Sequence, residues 1–316
     1  MSISSFNAKH APLAPQAPGL LPLTSKSLGA LWAIAALALA IAAFAGAGIS
    51  ARFENPAFVV LALTCVAFVF LHGMMRYSLK VMLVFLVITS FWALFWENLS
   101  VFTGFPFGWY HYDDSFGPKL LQAPYFLTVA YFQYVYLAWT MAHIVLGRYT
   151  NKIEGAWTFV LPLVATFIIV MFDNVFDPYN STMVGHYVWH SGGAYFGVPF
   201  SNYLGWYLCT WTMFQSFALY KHWTQTRSEP EPTVLFEPSY WLANVATYLS
   251  WLVLFLVKGF TVDPTITLHT MDGLTWNEAA LLQTAGIIGI ATMGFIALLS
   301  LLKILALREV PQNHRR

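Results

Sequence analysis

Apolar residues along this chain are gathered into eight long runs, and polar or aromatic stretches separate one run from the next. Each run is close to the roughly 20 residues with which an α-helix crosses a bilayer. The pattern predicts an all-α fold, a polytopic integral membrane helix bundle with about eight transmembrane helices. The predicted spans are 28–49, 56–74, 81–98, 124–146, 155–175, 201–221, 238–259 and 279–302.

The segments at the two ends differ from the runs between them. Residues 1–27 are rich in proline, alanine and serine, and we interpret them as a disordered N-terminal arm. Residues 28–304 are predicted to form a single membrane domain, and residues 305–316 a basic tail. The first apolar run follows a long arm and exceeds the core of a signal peptide, so we interpret it as a retained helix.

Two stretches of the chain resemble each other. In both, a carboxylate near the end of an apolar run is followed by an aromatic loop and by a proline that opens the next run. These features are Glu97, 108–112 and Pro124 in the first stretch, and Asp173, 185–189 and Pro199 in the second. The carboxylate and the proline are 27 residues apart in one stretch and 26 in the other. We therefore predict an internal repeat, 81–146 and 155–221, and membrane proteins often place a functional site between such repeats.

Composition excludes several protein classes. Charged residues make up 9% of the chain, against about 25% in soluble globular proteins, and 58% of the residues are hydrophobic. The chain is therefore expected to contact membrane lipid, and nucleic acid is not an expected partner. Cys65 and Cys209 fall inside apolar runs, so neither a disulfide nor a cysteine-based metal site is predicted.

The positive charges predict how the bundle lies in the membrane. With eight spans both termini are on one side, and that side holds twelve of the fifteen lysines and arginines. The other side holds only Arg52, Lys119 and Lys258. Because cytoplasmic segments are enriched in positive charge, we predict a protein of the cell membrane with both termini in the cytoplasm. The connections 99–123, 176–200 and 260–278 then face outward, and the acids lie near them.

Acids within or beside a membrane span usually mark a function, because their charge is costly there. Asp173 and Asp177 are one helical turn apart, and Glu97 is the counterpart of Asp173 in the other repeat. A carboxylic acid in an apolar site can keep its proton at neutral pH and act as a general acid. We predict that Asp173 protonates an electron-rich alkene and that Glu97 orients or deprotonates water, with the reverse assignment of the two acids as the alternative. Asp177, His186 and His190 are expected to complete a hydrogen-bond network.

Aromatic side chains near these acids can stabilise the carbocation that such a protonation forms, by about 2 kcal/mol for each desolvated ring. The same side chains would equally suit the aromatic belt at a membrane interface. The rings predicted to contact the substrate are Trp109, Tyr110, Tyr112, Tyr187 and Trp189.

Other chemistries fit part of this pattern. The spacing of Asp173 and Asp177 suits Mg²⁺ in a prenyltransferase or terpene cyclase, but the side that carries them offers few cations for a diphosphate. His186 and His190 could bind one metal ion together with an aspartate, although the other histidines are too scattered for a di-iron centre. A proton-coupled transporter would also use acids related by a repeat, and a non-catalytic scaffold would need none of them. We predict no metal and no cofactor.

Three segments carry a resemblance to a known family. Their sequences, ENLSVFTGFPFGWYHY, DNVFDP and GHYVWHSGGAYFGVPFSNYLGWY, resemble the membrane family of carotenoid biosynthesis that includes the gamma-carotene hydratases and bisanhydrobacterioruberin hydratases of bacteria and archaea. The resemblance covers about residues 60–300. It implies a cofactor-independent hydro-lyase that adds water across the terminal double bond of an acyclic carotenoid, or that acts on another isoprenoid.

The resemblance identifies motif positions without assigning a catalytic role to any of them. These positions are Glu97, Gly104, Pro106, Gly108, Tyr110, Asp173, Asp177, Pro178, Gly185, Trp189, Gly197, Pro199, Asn202 and Gly205. Among them, Asn202 is taken as a further substrate-binding residue. The roles of the acids remain hypotheses from residue chemistry.

Overall fold

The computed structural model describes residues 20–47, 56–226 and 230–309. Most of the predicted N-terminal arm and the end of the basic tail lie outside these residues. The helices are α1 (Ser25–Ala47), α2 (Pro56–Arg76), α3 (Leu79–Thr103), α4 (Phe126–Val145), α5 (Trp157–Pro178), α6 (Phe200–Thr224), α7 (Pro238–Thr261), α8 (Glu278–Gly289) and α9 (Phe295–Glu309). Short π-helical turns follow α5, at Tyr179–Met183, and join α8 to α9, at Ile290–Gly294.

The prediction of an all-α membrane helix bundle is confirmed. Because α8 and α9 continue through their π-turn as one segment, the described residues contain eight helical segments. Six of these segments are long and apolar enough to cross a membrane, and α4 and α6 are less apolar than the rest.

The helices of the repeat, α3 to α6, form the centre of the bundle. α3 contacts α4 and α6, and α5 contacts the same two helices, as expected if α3 corresponds to α5 and α4 to α6. α7 packs against α4, and α1 lies against α7 and α2. α4 is buried along most of its length, including Gln133, Thr140 and His143. Protein rather than lipid surrounds this helix, which explains its polar residues.

The connections contain short strands that the sequence analysis described only as aromatic loops. β1 (Tyr110–Tyr112), in the α3–α4 connection, pairs antiparallel with β4 (Tyr187–Trp189), in the α5–α6 connection. The other pairs are β2 (Lys119–Leu120) with β3 (Ala123–Pro124), and β5 (Thr267–His269) with β6 (Thr275–Asn277) in the α7–α8 connection. We call the end of the bundle formed by these three connections the loop face.

The pairing of β1 with β4 follows the internal repeat. When the two connections are aligned at Gly108 and Gly185, His111 corresponds to Val188, and these two residues lie opposite each other. The flanking pairs are Tyr110–Trp189 and Tyr112–Tyr187. Replacing each residue by its counterpart in the other repeat converts one of these pairs into the other. An antiparallel pair centred on equivalent residues has the symmetry of a two-fold axis between the repeats.

Helix α3 extends beyond the end of its apolar run. The run predicts an end at residue 98, whereas the helix continues to Thr103. Gly104 caps it in the left-handed conformation, with a φ of 76° and its N–H bonded to the Ser100 carbonyl at 2.7 Å. Glycine adopts this conformation without steric cost. As a result Glu97 lies more than one turn inside the helix, and it is buried.

Candidate active site

A cavity of about 100 Å³ lies between the central helices and the β1–β4 pair. Its wall comes from α3, α4, α5 and α6, from both strands and from Phe58 of α2. Its polar lining residues are Glu97, Asp173, Asp177, Asn180, His186 and Asn202. The three acids predicted from the sequence therefore meet in one cavity.

Glu97 is held by tyrosine hydroxyls. Tyr110 and Tyr112 of β1 both donate to Oε2, the latter at 2.7 Å, and Tyr131 of α4 donates to Oε1 at 2.7 Å. Donors of this kind favour the charged form of a carboxyl group, whereas burial opposes it. Glu97 thus has a fixed orientation, and three donors offset part of the cost of burying its charge.

The two aspartates share one amide. Nδ2 of Asn202 donates to Oδ2 of Asp177 and lies 3.3 Å from Oδ2 of Asp173. The hydroxyl of Tyr187 donates to Oδ1 of Asp177. Oδ1 of Asp173 is buried and has no hydrogen-bond partner among the described residues. Two carboxylates this close disfavour a second charge, and Asp173, which has fewer donors, is better suited to hold the proton.

Aromatic rings enclose the acids. The ring centroid of Trp189 lies 4.8 Å from that of Tyr110 and 5.9 Å from that of Tyr187. Trp206 of α6 stacks on Tyr131 with centroids 5.0 Å apart. Such a wall limits the entry of bulk water and presents ring faces that attract a cation.

His186 lines the cavity at the loop face. Its ring stacks on Phe116 with centroids 4.4 Å apart, and its side chain is buried. Burial lowers the pKa of this imidazole to about 4, and the charge of Asp113 opposes that shift only in part. His186 is therefore neutral at neutral pH and does not act as the acid of the site.

Trp109 and His190 lie outside the cavity. Trp109 is 52% exposed, and Nε2 of His190 lies 2.9 Å from Nδ1 of His111 on the exposed side of the strand pair. Successive side chains of a strand point to opposite faces. Tyr110 and Trp189 face the cavity. Their neighbours, Trp109 and His190, therefore point away from it. The structure brings the other predicted site residues together and leaves these two apart.

Several aromatic residues of the cavity were not predicted from the sequence, among them Tyr131 and Trp206, which contact each other. Both lie inside apolar runs, where an aromatic residue looks like part of a lipid-facing helix. The available signal was the number of polar residues in the run 124–146, which is unusual for a helix surrounded by lipid.

The charge of the cavity wall disfavours a diphosphate substrate. No lysine or arginine is among the described residues that line it, and a diphosphate normally recruits several of them. Within the described ranges, no three His, Cys, Asp or Glu side chains are grouped as metal ligands would be. That the chain needs no metal and no cofactor stays a prediction.

Comparison with known proteins assigns the chain to a family. The family model described as "Carotenoid biosynthesis protein" matches residues 54–273, which contain both repeats and every lining residue of the cavity. The chain belongs to this family. The resemblance seen in the sequence is thereby confirmed.

A relative of this carotenoid biosynthesis protein is the bisanhydrobacterioruberin hydratase of Haloarcula japonica. It is 33% identical over 113 residues, which is 35% of this chain and 36% of the relative. The chain thus matches about a third of the length of this curated relative. No solved structure matches the chain.

Proposed function

We propose that this chain is a carotenoid hydratase, a hydro-lyase that adds water across the terminal double bond of an acyclic carotenoid end and leaves a tertiary alcohol. The observation that carries the proposal is Oδ1 of Asp173, a buried acid atom in the wall of an aromatic cavity with no hydrogen-bond partner among the described residues. The carotenoid biosynthesis family and the name of the hydratase relative support the same reaction.

The first step is proton transfer from Asp173 to the less substituted carbon of the terminal double bond. The O–H bond of the acid breaks, a C–H bond forms, and the positive charge stays on the tertiary carbon. Asn202 contacts both Asp173 and Asp177, so it fixes the position of the donor beside its neighbour.

In the second step water captures the cation. The water oxygen forms the new C–O bond, and one of its protons passes to Glu97, which three hydroxyls orient. The alkene has then gained one hydrogen and one hydroxyl group. Glu97 releases its extra proton to solvent and Asp173 regains one, so the cycle closes without a cofactor.

The cation between these steps is stabilised by the aromatic wall. The rings of Tyr110, Tyr187 and Trp189 lie at the strand side of the cavity. Each desolvated ring face contributes on the order of 2 kcal/mol to a nearby positive charge. Trp109 is outside this wall, so it has no part in the proposed step.

The cavity accommodates one end of a carotenoid and not its whole length, since its volume is about 100 Å³. Phe58 of α2 and Phe126, Ala130 and Tyr134 of α4 line it and are only half buried. From their partial exposure we infer that the remainder of the polyene leaves the cavity between α2 and α4 and extends into the lipid.

The test is to express the chain in a bacterium that makes lycopene and in one that makes a longer acyclic carotenoid. We expect pigments heavier by one water for each modified end, detected by liquid chromatography and mass spectrometry. Asp173→Asn should abolish this product, whereas Asp263→Asn, which changes an exposed acid of the loop face, should not. Folded protein that leaves both pigments unchanged contradicts the proposal, and so does full activity of Asp173→Asn.

A further inference from the structure

A second cavity, of about 280 Å³, opens on the loop face. It lies between the segment that follows α5 on one side and the β5–β6 hairpin on the other. We call it the vestibule, and its lining includes Ser181, Thr182, Val188, Gly197, His269 and Thr270.

The vestibule and the buried cavity share a wall. Tyr187 and Trp189 line both, and Val188, between them on β4, lines the vestibule. A single strand therefore separates the vestibule from Asp177, to which Tyr187 donates its hydroxyl. Nε1 of Trp189 is buried and has no partner among the described residues. An unpaired donor of this kind is normally satisfied by an ordered water.

The vestibule has several polar side chains in its wall, beside Val188, Met271 and the two shared aromatic residues. The hydroxyls of Ser181, Thr182 and Thr270 and the imidazole of His269 belong to its lining. No Asp, Glu, Lys or Arg is among the described residues that line it. Neutral donors and acceptors suit water, whereas a buried ion would need an opposite charge. The cavity residues of α2 and α4, where the carotenoid is proposed to enter, are by contrast apolar or aromatic and suit a hydrocarbon chain.

Gly197 keeps the vestibule open. Its φ is 85°, a conformation that favours glycine. A Cβ atom at this position would lie 2.6 Å from Cγ2 of Thr270 and 3.0 Å from Oγ1 of Thr182. A larger residue would therefore push the α5–α6 connection against the hairpin and fill the space.

We propose that the vestibule supplies the water of the reaction through the β4 wall, while the carotenoid end enters separately from the lipid. This inference rests on the proposed hydratase function, because only a reaction that consumes water needs such a route. Water then arrives beside Tyr187 and Trp189, on the side of the acids. It does not have to pass along the polyene that fills the lateral opening.

A single introduced thiol tests the route. Val188→Cys places a thiol in the vestibule without enlarging the side chain, and the natural Cys65 and Cys209 are buried. A bulky, charged methanethiosulfonate is applied to open membrane fragments, and the rate of hydrated carotenoid formation is measured before and after. Leu274→Cys is the matched control, because Leu274 is exposed on the loop face, in the β5–β6 hairpin, and is not among the vestibule residues.

We expect modification of Val188→Cys to lower the hydration rate about tenfold or more, which is a barrier increase of about 1.4 kcal/mol. A small methyl reagent should lower it less, and modification of Leu274→Cys should leave it unchanged. Complete labelling of Val188→Cys with an unchanged rate overturns the inference, as does a thiol there that fails to react. If the unmodified wild-type chain makes no hydrated carotenoid, the proposed function fails first and the inference falls with it.

Discussion

Hydrogen-bond donors divide the acids of the cavity into unequal partners. Glu97 accepts from three hydroxyls, whereas Asp173 has one amide at 3.3 Å and an oxygen without a partner among the described residues. Burial opposes the charge on both, and the hydrogen bonds offset more of this cost at Glu97 than at Asp173. Aspartate and glutamate have similar acidity in water. The neighbours therefore favour the proposed roles, with Asp173 as proton donor and Glu97 as proton acceptor.

Replacing Tyr131 by phenylalanine tests this division. The change removes one hydroxyl from Glu97 and keeps the ring that stacks on Trp206. A hydrogen bond to a charged group contributes about 1.5–3 kcal/mol, so we expect the hydration rate to fall about tenfold to a hundredfold. The measurement is product formation per unit of folded protein. Tyr134→Phe, on the same helix and cavity wall, should be close to wild type, and equal losses in both variants would argue against a specific role for Tyr131.

The buried imidazole of His186 predicts a pH dependence of stability. Its pKa falls from 6.5 to about 4 in the folded protein, so the fold favours the neutral form. This contribution is present above pH 6.5 and is lost as the pH falls toward about 4, because the unfolded chain binds the proton first. We expect the melting temperature in lipid nanodiscs to decrease over this range. His186→Asn should show a smaller decrease, and parallel curves for the two proteins would contradict the assignment.

The sequence indicates which acids meet, because the repeat places Glu97 and Asp173 on equivalent helices. It does not show which aromatic residues join them. Trp109 and Tyr110 are adjacent in one motif, yet strand alternation turns only the second toward the cavity. Tyr131 is hidden inside an apolar run, and the burial of α4 that explains it is a property of the assembled bundle.

At the scale of elements, the β1–β4 pair joins the two repeats over the cavity. Backbone hydrogen bonds continue the pairing on either side of it. The N–H of His190 donates to the carbonyl of Trp109 at 3.0 Å, and the N–H of Asp113 donates to the carbonyl of His186 at 2.9 Å. By the alternation of antiparallel pairs, His111 also belongs to the hydrogen-bonded set. Helix positions follow from apolar runs of about 20 residues, but strands of three residues are too short to give a reliable alternating pattern.

Proline at position 111 should weaken this pair. His111 is exposed, so its side chain contributes little to packing, whereas proline removes the backbone N–H. Losing a backbone hydrogen bond and leaving its acceptor unpaired costs about 1–3 kcal/mol. We expect a lower melting temperature and reduced hydration for His111→Pro, measured on purified protein. His111→Ala is the control, and if it loses as much as His111→Pro, the side chain rather than the strand pair is responsible.

At the scale of the whole molecule, the cavity has two kinds of surroundings. Hydroxyl-bearing side chains line the vestibule at the loop face, and apolar or aromatic side chains of α2 and α4 line the opposite part of the cavity wall. The prediction that both termini are cytoplasmic, which would place the loop face outside, stays a prediction. The apolar runs and the charge bias concern the whole chain, so they predict helix number and orientation and say nothing of which helices border an opening.

A bulky residue at position 130 tests the lateral opening. Ala130 is half buried in the cavity wall on α4, so Ala130→Trp should obstruct the entering chain end. Misplacement of a substrate by about 1 Å can cost on the order of a hundredfold in rate, and we expect a loss of this size on a full-length carotenoid. Val129→Trp adds the same bulk next to the wall and should retain activity. Normal turnover by Ala130→Trp would show that the carotenoid enters elsewhere.

The symmetric pairing of β1 with β4 has a mechanical consequence. Alternating-access transporters work by rocking one repeat against the other around a fixed site. Here the strand pair ties the repeats together at one end, and its hydrogen-bonded partners come from opposite halves. Rocking would have to slide this pair out of register, and a slip of one residue would turn Tyr110 and Trp189 away from the acids. The strand pair therefore holds the two halves in one arrangement, which favours the proposed hydratase over a transporter that works by rocking.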